Sequence, residues 1–132
     1  MGVTLLSLDE VLAIHSDQIA TFGGSAGVRD LGLLESALAA PQAGFGGAYL
    51  HQDLYEMAAA HLFHLVSNHP FIDGNKRTGS LAAVVFLETN GVDVNVPEEQ
   101  FQELVLAVAA GQSGQEEVTV FLRQHLPPLP SV

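Results

Sequence analysis

Apolar positions along the chain recur at helical spacing, in about six stretches divided by glycine, proline or capping residues. Leu8, Val11, Leu12, His15, Ile19 and Phe22 mark the inward face of a first helix. Ser7 and Glu10 have the spacing of a capping box at its start, and Gly23-Gly24 ends it. Asp30 caps a second helix, Leu31 to Ala40, which Pro41 terminates. Residues 41–52, PQAGFGGAYLHQ, mix glycines with two aromatics and predict a loop or short hairpin, the one β element expected. A third helix runs from about Asp53 to Asn68 and is apolar on most faces. A fourth runs from near Asn75 to Asn90; Ala82, Ala83, Val84, Val85, Phe86 and Leu87 wrap it almost completely, which predicts the buried central helix. Pro97 suits the first turn of a fifth helix bearing Phe101, Leu104, Val105 and Val108. Ser113 and Glu116 predict another capping box, opening a sixth helix that turns Val118, Phe121, Leu122 and His125 inward. The expected fold is all-α, a compact bundle of about six helices forming one domain over residues 1–126, with PPLPSV at 127–132 as a flexible, frayed tail.

One stretch interrupts this pattern. HPFIDGNKRTG, residues 69–79, joins the third and fourth helices and gathers a histidine, a carboxylate, an asparagine and two cations at the tip of an apolar hairpin. Composition makes the cations conspicuous. The 132 residues carry 4 Lys+Arg against 15 Asp+Glu, a net charge of -11. Such a chain repels nucleic acid, whose binding rests on neutralising phosphates. Of the four cations, Arg29 and Arg123 read as solvated surface charge, whereas Lys76 and Arg77 sit side by side in this stretch. There are no cysteines, which excludes disulfides and thiolate metal sites and suits a reducing cytoplasm. The longest clean apolar run, Leu81 to Leu87, is far short of the ~20 residues that cross a bilayer. MGVTLLSLDE has no basic leader region, so neither a membrane nor a secretory route is expected.

A helix start leaves backbone N–H groups unpaired, and the helix dipole makes that end attractive to anions. Lys76 and Arg77 occupy the first turn, where cations oppose the dipole unless an anion lies between. Gly74 lets a ligand approach the backbone closely. Asp73 is a single carboxylate beside this phosphate site, and Mg²⁺ needs little more than one carboxylate, phosphate oxygens and water; it can equally cap the helix. His69 is a candidate general base for an incoming hydroxyl. Phe71 anchors the loop in the core. The spacing is not that of a P-loop, because Asn75 separates Gly74 from Lys76. His61 and His64 lie three apart on one helix but have no second ligand pair, so they read as core or surface histidines. His15, His51 and His125 carry no signal.

HPFIDGNKRT resembles the signature of the Fic/Doc superfamily, H-P-F-x-[DE]-G-N-[GK]-R, and its Lys is that of the death-on-curing (Doc) toxin branch. GVRDLGLLESALAAPQAGFGG and LETNGVDV are also similar to Doc-type toxins, so the likeness spans nearly the whole chain. It implies a bundle of about six helices with a flap. It also implies His69 as catalytic base, Asp73 as the Mg²⁺ ligand, and Gly74, Asn75, Lys76 and Arg77 as the nucleotide phosphate site. The flap, which holds a target segment by strand addition, would fall around Gly47, Ala48, Tyr49 and Leu50.

Fic-type AMP transferases carry Gly where this chain has Lys76, and a second Arg where it has Ser80. A bulky Lys crowds the pocket for inner phosphates, and loss of an Arg removes a bidentate clamp. The resemblance therefore implies a toxin of a toxin–antitoxin system: a cytoplasmic bacterial kinase that uses ATP and Mg²⁺ to phosphorylate a Ser or Thr of a translation factor such as elongation factor Tu. AMP transfer on the same scaffold is the alternative, and a non-catalytic phospho-ligand module or decayed toxin is a further one. Ser113 to Glu117 has the spacing of the family's inhibitory segment, but Val118 follows it, so restraint is expected from a separate antitoxin with a flexible tail.

Overall fold

In the computed structural model, which describes residues 2–132, six α-helices and one small hairpin make up the regular structure. Helix α1 (Leu8–Phe22) opens with the expected capping box: the Glu10 N–H donates to Ser7 Oγ at 3.1 Å and the Ser7 N–H to Glu10 Oε1 at 3.0 Å. It ends at Gly23, with φ 84. Val11 and His15 face the core, but Phe22, expected inward, is exposed, because the helix by then has run past the bundle. Helix α2 (Leu31–Ala39) is capped by Asp30, which accepts from the Leu33 N–H at 3.0 Å. Pro41 does not stop the chain there; it lies inside a 3-10 turn, Ala40–Gln42, whose first positions need no N–H donor. Strands β1 (Gly44–Phe45) and β2 (Ala48–Tyr49) pair antiparallel around Gly46-Gly47, both at positive φ as a tight hairpin requires. A second β feature was not foreseen: an isolated antiparallel bridge between Val28 and Phe71.

Helix α3 (Leu54–Asn68), capped by Asp53, packs on α2 and on the three later helices, α4 (Asn75–Thr89), α5 (Glu98–Ala109) and α6 (Gln115–His125). It, and not α4, is the central helix. Tyr55, Met57, Leu62, Leu65, Val66 and the run Ala58–Ala60 are buried, while α4 leaves Leu81, Val84 and Val85 only partly covered. The small side chains of α3 admit neighbours on every side. Gly79 of α4 adds to this: a Cβ there would lie 2.7 Å from Val66 Cγ2, so the two helices cross at glycine distance.

Pro97 caps α5 from just outside and does not sit in its first turn. The expected Ser113/Glu116 box is displaced by one residue. Gly114 is the cap, and its N–H donates to Glu117 Oε1 at 3.2 Å. Only this half forms, because glycine has no side chain to reciprocate, and the Ser113 N–H is already given to Ala107 O. The segment 127–132, expected as a frayed tail, is irregular yet runs back along α3. The Tyr55 hydroxyl donates to Pro127 O, the Val132 N–H to Gln52 O, and Leu129 packs on the core. Arg123 is not a free surface charge. It bridges Asp53 at 3.0 Å and Glu56 at 2.9 Å, tying α6 to the start of α3.

Candidate active site

The site is built where α3 stops. His69 follows Asn68 in the left-handed conformation (φ 49, ψ 54), alone in this among the described non-glycine residues. Such backbone costs about 1–3 kcal/mol and persists only where its surroundings enforce it. Here Arg29 enforces it: its Nε donates to His69 O at 2.6 Å and its NH2 group to Asn68 O at 2.9 Å. A cation on the last carbonyls of a helix satisfies both the unpaired acceptors and the dipole, so Arg29 is a structural cap and not a solvated charge. The segment 27–30 then runs alongside the loop. Arg29 and Asp30 N–H donate to Pro70 O, the Ile72 N–H donates to Gly27 O, and the ring of Phe71 is fully buried.

Asn75 closes the loop. Its Oδ1 accepts from the Phe71 N–H and its Nδ2 donates to Phe71 O, both at 3.0 Å. Its side chain is therefore committed to the loop, and only its backbone N–H remains for a ligand. Helix α4 begins after Gly74 (φ 77) with no side-chain cap, and the N–H groups of Asn75, Lys76 and Arg77 have no acceptor among the described residues. Three open donors at a helix start are the backbone of an anion site.

The charged groups around these donors are held differently from one another. Asp73 Oδ2 accepts from the Ser25 N–H at 3.2 Å and Oδ1 from the Gly74 N–H at 2.9 Å. These two bonds, the Ser25 one foremost, hold its carboxyl below the usual range against an opposing desolvation, with the Arg77 and then the Lys76 charge adding less. Gly24 makes room for it: a Cβ there would sit 2.7 Å from Asp73 Oδ2. Arg77 reaches back to α1, its NH2 group donating to Gly23 O at 3.0 Å and its guanidinium lying 5.1 Å from the centre of the Phe22 ring. Lys76 is the one cation of the four whose side chain has no partner among the described residues. Ser80 Oγ turns back to Lys76 O at 2.9 Å and offers no clamp to a ligand.

His69, Ile72, Asp73, Gly74, Asn75, Lys76 and Arg77, with Ala109 of α5, line one cleft of about 330 Å³. Lys76 and Arg77 also border an adjoining, more apolar groove of about 260 Å³ between α4 and α5, walled by Phe101, Val105 and Leu106. Every motif residue expected in the site except the core anchor Phe71 thus lines the cleft. Gly47, Ala48, Tyr49 and Leu50 do not; Gly47 is in the hairpin turn, Ala48 and Tyr49 form β2, and Leu50 follows it. His15, Gly24, Ser25 and Arg29 were missed. The density of glycine in GGSAG and a histidine on an apolar stripe were the only signals, and each had a simpler reading. His61 is buried with both ring nitrogens unpartnered, and no group of three or more metal-binding side chains occurs among the described residues.

A family model described as the Fic/DOC family matches residues 5–87, the span from before α1 to near the end of α4. The chain belongs to the Fic/DOC family. It is 49% identical over 87 residues to a protein named Toxin Doc from Mycolicibacterium smegmatis, covering 66% of each chain. It is 32% identical over 119 residues to one named Protein kinase doc from Escherichia phage P1, covering 90% of this chain and 93% of that one. Both lie on the Doc branch that Lys76 indicates. The Fic/DOC match encloses every residue of the cleft except Ala109, and also Gly23, Ser25 and Arg29, which hydrogen-bond to the motif segment and the end of α3. No helix among the described residues is long and apolar enough to cross a membrane.

Proposed function

We propose that this protein is a Doc-type toxin kinase, transferring the γ-phosphate of ATP to a Ser or Thr hydroxyl of a translation factor of the elongation factor Tu kind. The observation that carries this reading is the convergence in one cleft of an exposed histidine, an ionised carboxylate and three open N–H donors flanked by an unpaired lysine. In the proposed reaction His69 takes the proton of the target hydroxyl as its oxygen bonds to the γ-phosphorus. The bond from that phosphorus to the bridging oxygen breaks, and ADP departs. Catalysis here is positioning and charge stabilisation, supplied by Lys76, Arg77 and the start of α4.

The residues fit Mg²⁺ in one manner only. Asp73 is exposed and ionised and is the single carboxylate lining the cleft, so it would hold the ion together with phosphate oxygens and water. The ion would neutralise phosphate charge. Kinase is favoured over AMP transfer because Lys76 stands free in the cleft and Ser80 is folded onto the helix backbone. The relatives' names, one a toxin and one a protein kinase, support the same reading and imply a cognate antitoxin as partner.

The test is incubation with elongation factor Tu, Mg²⁺ and ATP labelled at the α or the γ position. Label moving from γ alone supports the kinase, and label moving from α supports AMP transfer. Absence of transfer to this target, or transfer undiminished in His69→Ala, would sink the assignment.

A further inference from the structure

His15 is a buried histidine, 4% exposed, on the face of α1 that looks toward the motif loop. Its ring stacks on Phe71 with centroids 3.8 Å apart and planes 5° from parallel. Its Nε2 lies 2.8 Å from Asp73 O. A carbonyl oxygen only accepts, so Nε2 carries the proton and donates. The peptide that joins Asp73 to Gly74 is thereby gripped at both ends: its C=O by His15, its N–H by Asp73 Oδ1. Gly74 leaves little else to fix that plane, since glycine accepts either orientation at low cost. A rotated peptide would release the Gly74 N–H from Asp73 and redirect the carboxylate away from the Ser25 N–H as well.

We infer that His15 is a positioning residue, whose Nε2–H fixes the Asp73–Gly74 peptide and so aims the Asp73 carboxylate into the cleft. The inference extends the proposed nucleotide site, since a correctly aimed Asp73 is what a phosphate-bound Mg²⁺ would require. Partners that orient a ligand carboxylate or imidazole typically change metal affinity by about 10–100-fold when removed.

Two substitutions separate the hydrogen bond from the packing. His15→Phe keeps a ring against Phe71 but has no donor; His15→Gln keeps a donor amide at a reach similar to Nε2. In the full chain without ligand, amide hydrogen exchange read by NMR should accelerate at Gly74 and Ser25 by about tenfold or more in His15→Phe. Amides in the middle of α3, such as Leu62, should keep their wild-type rates, and His15→Gln should restore Gly74 and Ser25. Titration with Mn²⁺ and ATP should then show binding weakened by about 10–100-fold in His15→Phe and near wild type in His15→Gln. Unchanged exchange at Gly74 and Ser25 in His15→Phe would overturn the inference, as would uniform acceleration across all helices or a His15→Gln protein no better than His15→Phe. Local acceleration in His15→Phe, together with a wild-type protein that binds no Mn²⁺·ATP, would leave the positioning role standing and remove the proposed nucleotide function instead.

Discussion

At the scale of single residues, the four cations divide by what holds them. Arg29, Arg77 and Arg123 each donate to the chain itself, to carbonyls at helix ends or to carboxylates, and Lys76 alone is left over. An ammonium beside three unpaired N–H groups is available to an anion at little reorganisation cost. Lys76→Met should therefore weaken ATP binding about tenfold or more, read by calorimetry, with no change in melting temperature beyond a degree or two. The opposite situation holds at His61. Its imidazole is buried against Phe86 with no hydrogen-bond partner. Burial, with repulsion from His64, lowers its pKa from 6.5 to about 4. Between those values the unfolded chain binds a proton that the folded one does not, so stability rises with pH from about 4 to 6.5 and is level above. The increment over that window is roughly 3 kcal/mol. Urea denaturation at pH 4.5 and 7 should show it in the wild type and find it largely absent in His61→Leu.

At the scale of elements, the hairpin of α3 and α4 is the platform on which the loop stands. Its close crossing depends on Gly79, where an added Cβ meets Val66 Cγ2 at 2.7 Å. Gly79→Ala should cost about 1–3 kcal/mol through overpacking, despite alanine's better helix propensity, and lower the melting temperature by several degrees. A stabilised Gly79→Ala protein would contradict that packing. The elements themselves were legible. The start of α1, the cap of α2, the hairpin at 44–49 and the bounds of α3 and α4 all follow from capping residues and apolar period, which act over a few residues. Misplacements came where local rules were degenerate. Ser113 and Gly114 both suit a cap, and the choice fell to Gly114 because α5 already claims the Ser113 N–H. The apolar coat of α4 suggested the centre of the bundle, but its Leu81 and Val84 face an open groove with Phe22 and Phe101. The Ala-rich α3 takes the centre instead, since small side chains allow approach from all sides.

At the scale of the whole molecule, long-range ties decide what is rigid. The chain end is one: Tyr55 to Pro127, Val132 to Gln52 and Leu129 on the core return the last residues to α3. Deleting residues 127–132 should destabilise the domain by about 1–3 kcal/mol, since each net hydrogen bond contributes about 0.5–1.5 kcal/mol and some apolar burial goes with them. A truncated chain with an unchanged urea midpoint would show those ties to be idle. The same scale explains the division between sequence and structure. The sequence alone determined the helical architecture and the motif on which the proposed phosphate chemistry rests, because His69, Asp73 and Gly74 to Arg77 lie within nine consecutive residues and their spacing is their geometry. Tertiary structure alone decided which groups hold that motif in shape. Arg29 on the end of α3, Ser25 on Asp73, Gly23 on Arg77 and His15 on the Asp73 carbonyl come from 40 to 58 residues away. No local period or capping rule encodes such distances; they arise when α1 and the glycine-rich turn after it pack against the loop and bring these donors and acceptors within hydrogen-bond reach.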